Sequence, residues 1–286
     1  MSRPDEAARR AYWTEQLELG YELIQQVLQF PFRECGEGFA SLREAVASSG
    51  IEMQFSDSKI AGQLDRVYFM RESLVRDVIT IGQEMNARGW ILKIEDCYRS
   101  LEMQGQLVRK PELFDIILQR CIWENNGELP AVELVSRRAA VLVANIPKFG
   151  THMSGSAIDI SVLRRTDGSE VWRGNPYLEM SERTPMRSPF VEPEALQNRL
   201  DITALLEQHG FMHYVFEFWH YNKDDALGHI ETGRSAPARF GPVHWDPQTN
   251  RVTTVDNPHE LLNPLPVIER EIAAALERAR ATAGPK

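Results

Sequence analysis

The chain has 286 residues, 43% of them hydrophobic and 26% charged, with a formal net charge of -9. That is enough for one large core with appendages, and an acidic excess with no basic stripe among the aromatics excludes nucleic acid as a partner. No stretch reaches the roughly eighteen apolar residues of a membrane span, and the N-terminus MSRPDEAARRAYWTEQLELG lacks the apolar run of a signal peptide, so no membrane partner and a cytoplasmic location are expected.

Residues 5–29 place Ala8, Tyr12, Leu17, Leu19, Leu23, Ile24, Val27 and Leu28 at helical spacing, which predicts a long amphipathic helix ending near Phe30-Pro31. Its apolar stripe must be covered by something, and a homo-oligomer is one way to cover it. A shorter helix is predicted over 39–48, and a clear one over 69–90, closed by Gly89. WILKIEDC (90–97) alternates as a strand, and helices follow at 100–109, 111–124 and 131–145. Cys35, Cys97 and Cys121 are too few and too scattered for a disulfide framework, so reduced thiols are expected.

IDISVL (158–163) reads as a strand and TDGSE (166–170) as a turn. Residues 173–193 are rich in Gly, Pro, Ser and charge and read as a long excursion of the kind that covers sites. A helix is predicted over 194–209 and an aromatic strand over 211–222. The Pro-rich tail contains a hairpin pattern at 244–255 and ends in a charged helix at 267–281. Helices lead and short strands come later, which predicts α+β with a small antiparallel or mixed sheet. The expected organisation is a helical extension at 1–54, a catalytic core at 55–230 and a tail at 231–286.

The chemistry lies in two stretches. GTHMSGSAIDIS (150–161) supplies His152 and Asp159, and EFWH (217–220) supplies Glu217 and His220. Two imidazoles and one carboxylate make a three-ligand set, which leaves a tetrahedral zinc ion one open position for water. Glu217, in an aromatic run, then suits a general base acting on zinc-activated water. Alternate side chains of a strand point to opposite faces, so Glu217 and His220 reach one site only if the backbone is irregular at Phe218-Trp219. Ser154-Gly155-Ser156 supplies the turn that brings His152 and Asp159 round. Arg99, after the 90–97 strand, offers donors for a substrate carboxylate or a developing oxyanion, with Asp96 to orient it. Singly, each residue has a bland reading as a satisfied core or surface group; their co-occurrence carries the assignment.

HMSGSAID (152–159) with EFWH resembles the zinc D-Ala-D-Ala dipeptidases and carboxypeptidases of the M15 peptidase family, in particular the VanX-type D-alanyl-D-alanine dipeptidases. EDCYRS (95–100) resembles the family's Asp-Gly-Tyr-Arg segment. The helix before it, and the helix–Gly-Phe–strand of 198–221, also match, so the likeness covers roughly 55–225. The resemblance implies one zinc per chain held by His152, Asp159 and His220. It implies Glu217 as general base and Arg99 as stabiliser of the tetrahedral intermediate. The implied fold is α+β, with a small central antiparallel sheet flanked by helices (Hedgehog/DD-peptidase-like). Tyr98, Arg99 and Glu179 are the substrate-binding candidates.

Three positions depart from that pattern. Gly150 stands where VanX-type enzymes have serine, and Cys97 where they have glycine. The loop GNPYLEMSERTPMRSPF lacks the Phe-Asp that in VanX-type enzymes holds the substrate ammonium, with Glu179 or Glu182 as a candidate replacement. Three functions are therefore carried forward. The first is a zinc-dependent hydrolase of a small D-Ala-D-Ala-type peptide. The second is the same chemistry on a longer peptidoglycan stem peptide or a secondary-metabolite amide. The third is a non-catalytic zinc-stabilised binding protein, closed by a fourth ligand such as His213 or Cys97.

Overall fold

Asp5 accepts a hydrogen bond from the Ala7 amide and starts α1 (Glu6–Gln29), which stops where Pro31 disfavours a helical Phe30. The computed structural model describes residues 5–283, so residues 1–4 and 284–286 of the expected end segments lie outside the described residues. β1 (Phe39–Ser41) and α2 (Leu42–Ser49) come next, followed by β2 (Met53–Phe55), β3 (Phe69–Arg71), α3 (Glu72–Ala87) and β4 (Trp90–Asp96). Three helices succeed them: α4 (Leu101–Val108), α5 (Pro111–Glu124) and α6 (Val132–Val143). A 3-10 turn (Thr151–Ser154) leads into β5 (Ala157–Arg164), and a long irregular loop then reaches α7 (Pro193–Gln208). β6 (Met212–His213), β7 (His220–Asn222), α8 (Ala226–Glu231), the hairpin β8 (Val243–Asp246) and β9 (Arg251–Thr254), and α9 (Leu265–Ala283) complete the chain.

The fold is α+β, and its centre is a five-stranded sheet in the order β2-β4-β5-β7-β6. The sheet is antiparallel from β4 to β6, as expected, but β2 joins β4 in parallel. The reason is the connection: α3 lies between β2 and β4 in the chain, and a helical crossover returns a strand in the same direction. Two predicted helices start later than their periodicity suggests. Residues 39–41 and 69–71 pair with each other as β1 and β3, so helix begins only at Leu42 and Glu72.

One face of the sheet is a pure core. Leu92, Ile94, Ile158, Ile160, Val162 and Tyr221 meet Val78 and Ile81 of α3 and Ile202 and Leu205 of α7 in one apolar cluster. A second cluster joins α1, α5, α6 and α9 through Trp13, Ile24, Phe114, Val135 and Ile268, and it includes Tyr214 and Phe216 from beside the sheet. Most of the α1 stripe is thus covered within the chain, while Leu19 stays exposed. No helix among the described residues is long and apolar enough to cross a membrane. The three cysteines are free thiols.

Gly155 ends the 3-10 turn at φ +70°, a conformation side chains rarely adopt, and an added Cβ there would lie 2.1 Å from the Phe39 ring. Gly155→Ala is therefore expected to destabilise the fold by about 2 kcal/mol or more. An unchanged urea or thermal midpoint would show that this turn is not under that constraint.

Candidate metal centre

The site is built on the sheet face opposite the apolar cluster of α3 and α7. On β5, Ile158, Ile160 and Val162 belong to that cluster, so Asp159 between them points the other way. Asp159 pairs with His220 of β7, and directly opposed residues share a face. On β4, Leu92 and Ile94 face the apolar cluster, and strict alternation would send Asp96 there too. A register shift between Ile94 and Asp96 prevents this: Ile94 pairs with Ile160, yet Asp96 pairs with Asp159. The extra residue in β4 flips Asp96 into the row Asp96–Asp159–His220.

His152 enters this row from the 3-10 turn. The donor atoms of His152, Asp159 and His220 all lie within 4.8 Å of one another, and all three residues are buried. Asp159 Oδ1 is 3.2 Å from His152 Nε2 and 2.9 Å from His220 Nδ1. The remaining ring nitrogens are occupied: His152 Nδ1 is 2.6 Å from the Cys97 carbonyl, and His220 Nε2 is 2.8 Å from Thr151 Oγ1. Inner nitrogens turned together, with outer ones anchored, are the pattern of imidazoles set to bind a metal. Two nitrogens and a carboxylate oxygen suit zinc. The proposed fourth donors are engaged elsewhere: Cys97 Sγ meets the Phe69 carbonyl at 3.0 Å, and His213 Nδ1 meets Glu207 at 2.7 Å.

Arg99 lies beside Asp96 and Asp159. Its Nε donates to Asp96 Oδ2 at 2.6 Å, and its Nη2 reaches Asp159 Oδ2 at 3.4 Å. Glu217 does not follow a strand. The predicted 211–222 strand survives only at its ends, because residues 214–219 leave the sheet as a loop. The loop is closed by the amide of Tyr214 on the His220 carbonyl and the amide of Glu217 on the Tyr214 carbonyl. The irregularity expected at Phe218-Trp219 is therefore a whole loop, and it puts Glu217 on the wall of the cavity that also holds Arg99, His152, Asp159 and His220.

Electrostatics follow from enclosure. Burial pushes the Glu217 carboxyl up to about 8, with the charge of Asp159 adding and that of Arg99 opposing. Burial also opposes charge on Asp159, but His152 and His220 outweigh it and hold the carboxyl well below the usual range. Burial lowers the His220 imidazole despite Asp159.

Two expected substrate contacts are not brought to this cavity. Tyr98 turns away, with its hydroxyl donating to the Val243 carbonyl at 3.0 Å and its ring against Phe39 and Trp245. By Tyr98 the chain has left β4, which ends at Asp96, and an isolated bridge to Val67 holds it there. Glu179 and Glu182 line a separate depression with Arg9 and Arg120, and Glu182 is ion-paired with Arg9.

The structure adds residues that the sequence did not single out. Tyr177, from the long loop, donates to Asp159 Oδ2 at 3.0 Å. Arg66 pairs with Asp96 Oδ2 at 2.6 Å, and Gln104 accepts from Arg99 Nη1 at 3.2 Å. None sits in a periodic or spaced motif. Only Thr151, adjacent to His152, carried a local hint.

The M15 peptidase family, described as D-ala-D-ala dipeptidase, matches residues 66–237, more than half of the chain. The chain belongs to the M15 peptidase family. Among curated relatives it is 32% identical over 87 residues to the D-alanyl-D-alanine dipeptidase of Escherichia coli (strain K12), covering 30% of this chain and 45% of that protein. It is 29% identical over 87 residues to the enzyme of the same name from Enterococcus faecium, covering 30% and 43%. The chain thus spans under half the length of these M15 relatives. The solved LdcB LD-carboxypeptidase overlaps 63% of this chain and 72% of its own at 18% identity, with a TM-score of 0.33, too slight a likeness to carry weight.

Asp96 is buried and shared by two guanidiniums. Asp96→Asn leaves both without their common countercharge and is expected to cost about 3 kcal/mol or more in unfolding free energy. A stability within error of the parent would mean that Arg66 and Arg99 do not depend on it.

Proposed function

We propose that this protein is a zinc-dependent hydrolase that cleaves the amide bond of a small peptide. The observation that carries this reading is the buried convergence of His152, Asp159 and His220, with Glu217 and Arg99 on the wall of the same cavity. When bound by these three residues, zinc supplies Lewis acidity and lowers the pKa of water to about 7. Glu217, on the cavity wall beside the three ligands, accepts a proton from water and returns it to the leaving amine. Arg99, held by Asp96, faces the negative charge that develops on the carbonyl oxygen. Asp159 keeps both imidazoles turned inward, and Tyr177 keeps Asp159 from rotating. The catalytic unit lies within 55–230, with α1 and α9 buttressing it through α5 and α6.

The names of the relatives favour a D-Ala-D-Ala-type dipeptide as substrate. A second reading keeps the chemistry and changes the substrate. It is motivated by the missing Phe-Asp and by Glu179 and Glu182 lying on another depression. A closed, non-catalytic zinc site is disfavoured, because among the described residues no fourth His, Cys, Asp or Glu joins the set.

The purified chain is expected to carry one zinc and to lose hydrolysis of D-Ala-D-Ala-type peptides on chelation, with recovery on adding zinc. Glu217→Gln should keep the metal and lose about 10²–10⁴ in kcat. Full turnover by that variant would sink the assignment of the base. Arg99→Ala should lower kcat by about 10²–10³, and an effect confined to KM would reassign Arg99 to substrate binding.

A further inference from the structure

The cavity over the candidate metal centre offers more apolar surface than two alanine methyls can use. Its volume is about 300 Å³, which reaches the range of pockets for drug-sized ligands. Leu113 and Ile116 of α5, Val141 and Leu142 of α6, and Leu178 and Met180 of the long loop all line it. Ile116 is 47% and Leu178 49% exposed, in a chain with few exposed large hydrophobic residues. Leu178 is held at φ +67°, a backbone state that a leucine rarely adopts, next to the Tyr177 that donates to Asp159. The loop therefore carries an exposed leucine at the cavity in a strained conformation while its neighbour is tied to the metal-binding carboxylate.

The cavity's lysines, Lys59 and Lys110, sit at its less buried margin, and Lys59 is ion-paired with Asp65, while the acids deeper in are engaged. Asp96 is shared by Arg66 and Arg99, and Asp159 is engaged by both imidazoles, Arg99 and Tyr177. Glu217 is the proposed base, and the other acid on the wall, Glu112, sits at the exposed start of α5.

We propose that the substrate carries a large aliphatic or aromatic group beside the scissile amide, seated against the wall formed by α5, α6 and Leu178. This rests on the zinc-hydrolase reading above and names its substrate class. A bulky apolar group gains burial against that wall, and dialanine leaves it wet.

The test compares zinc-loaded full-length protein on D-Ala-D-Ala and on peptides in which either alanine is replaced by leucine or phenylalanine, in D and L forms. The best bulky peptide is expected to exceed dialanine in kcat/KM by about tenfold or more. Ile116→Asn and Leu178→Asn should each reduce that ratio by about fivefold. Calorimetric binding of the same peptides to Glu217→Gln gives a readout without turnover, where the bulky peptide should bind about tenfold tighter. Dialanine equal or superior in both rate and binding overturns the proposal, as does a preference that neither variant moves. Preferential binding of the bulky peptide with no hydrolysis of any peptide by the zinc-loaded parent would retain the apolar site and overturn the hydrolase reading.

Discussion

One carboxylate organises the centre of this molecule. Asp159 is buried in the middle strand of the sheet, where an unpaired charge would be costly. Both of its oxygens are engaged: Oδ1 lies between the two imidazoles, and Oδ2 meets Arg99 and Tyr177. Four segments distant in sequence must therefore converge on it: the end of β4, the 3-10 turn, the long loop and the start of β7. Each uses a different device to arrive. β4 uses its bulge, the turn uses the left-handed Gly155, and β7 follows a loop that leaves the sheet and re-enters at His220.

The two loops that border the cavity are held by buried guanidiniums. Arg199 donates to the carbonyls of Arg173, Pro185 and Met186, and Arg173 donates to those of Ile160 and Phe218. Both stack on Phe218, at 4.8 Å for Arg173 and 4.1 Å for Arg199. Burial and the nearby charge of Arg173 lower Arg199 to about 9. Two like charges are tolerated in the interior because backbone carbonyls, which occupy no protonation state of their own, supply the compensating dipoles. A long loop without regular structure and the six-residue loop carrying Glu217 are thereby fixed to the same side of the sheet.

Much of the architecture was legible because short-range periodicity encodes it. The α1 stripe, the α5 start at Pro111 and the Gly89 stop of α3 depend on residues within a few positions of each other. The β1–β3 pair was not legible, because three-residue strands have no period to detect and owe their existence to one another. The 211–222 segment misled for a related reason. An aromatic run marks burial, and burial is shared by a strand and by a loop packed between two cores.

By itself the sequence singled out the candidate donors and the chemistry their types suit: His152, Asp159 and His220 with Glu217 and Arg99, picked by residue type and motif. Tertiary structure decided their company. Arg66, Gln104, Thr151 and Tyr177 became neighbours of the site, Tyr98 and Glu179 did not, and the apolar wall of the cavity was assembled from α5, α6 and a loop. The physical reason is that chemistry belongs to the side chain, whereas adjacency across a sheet belongs to register. One extra residue in β4 changes which face a side chain meets, and no local pattern in the chain reports that choice.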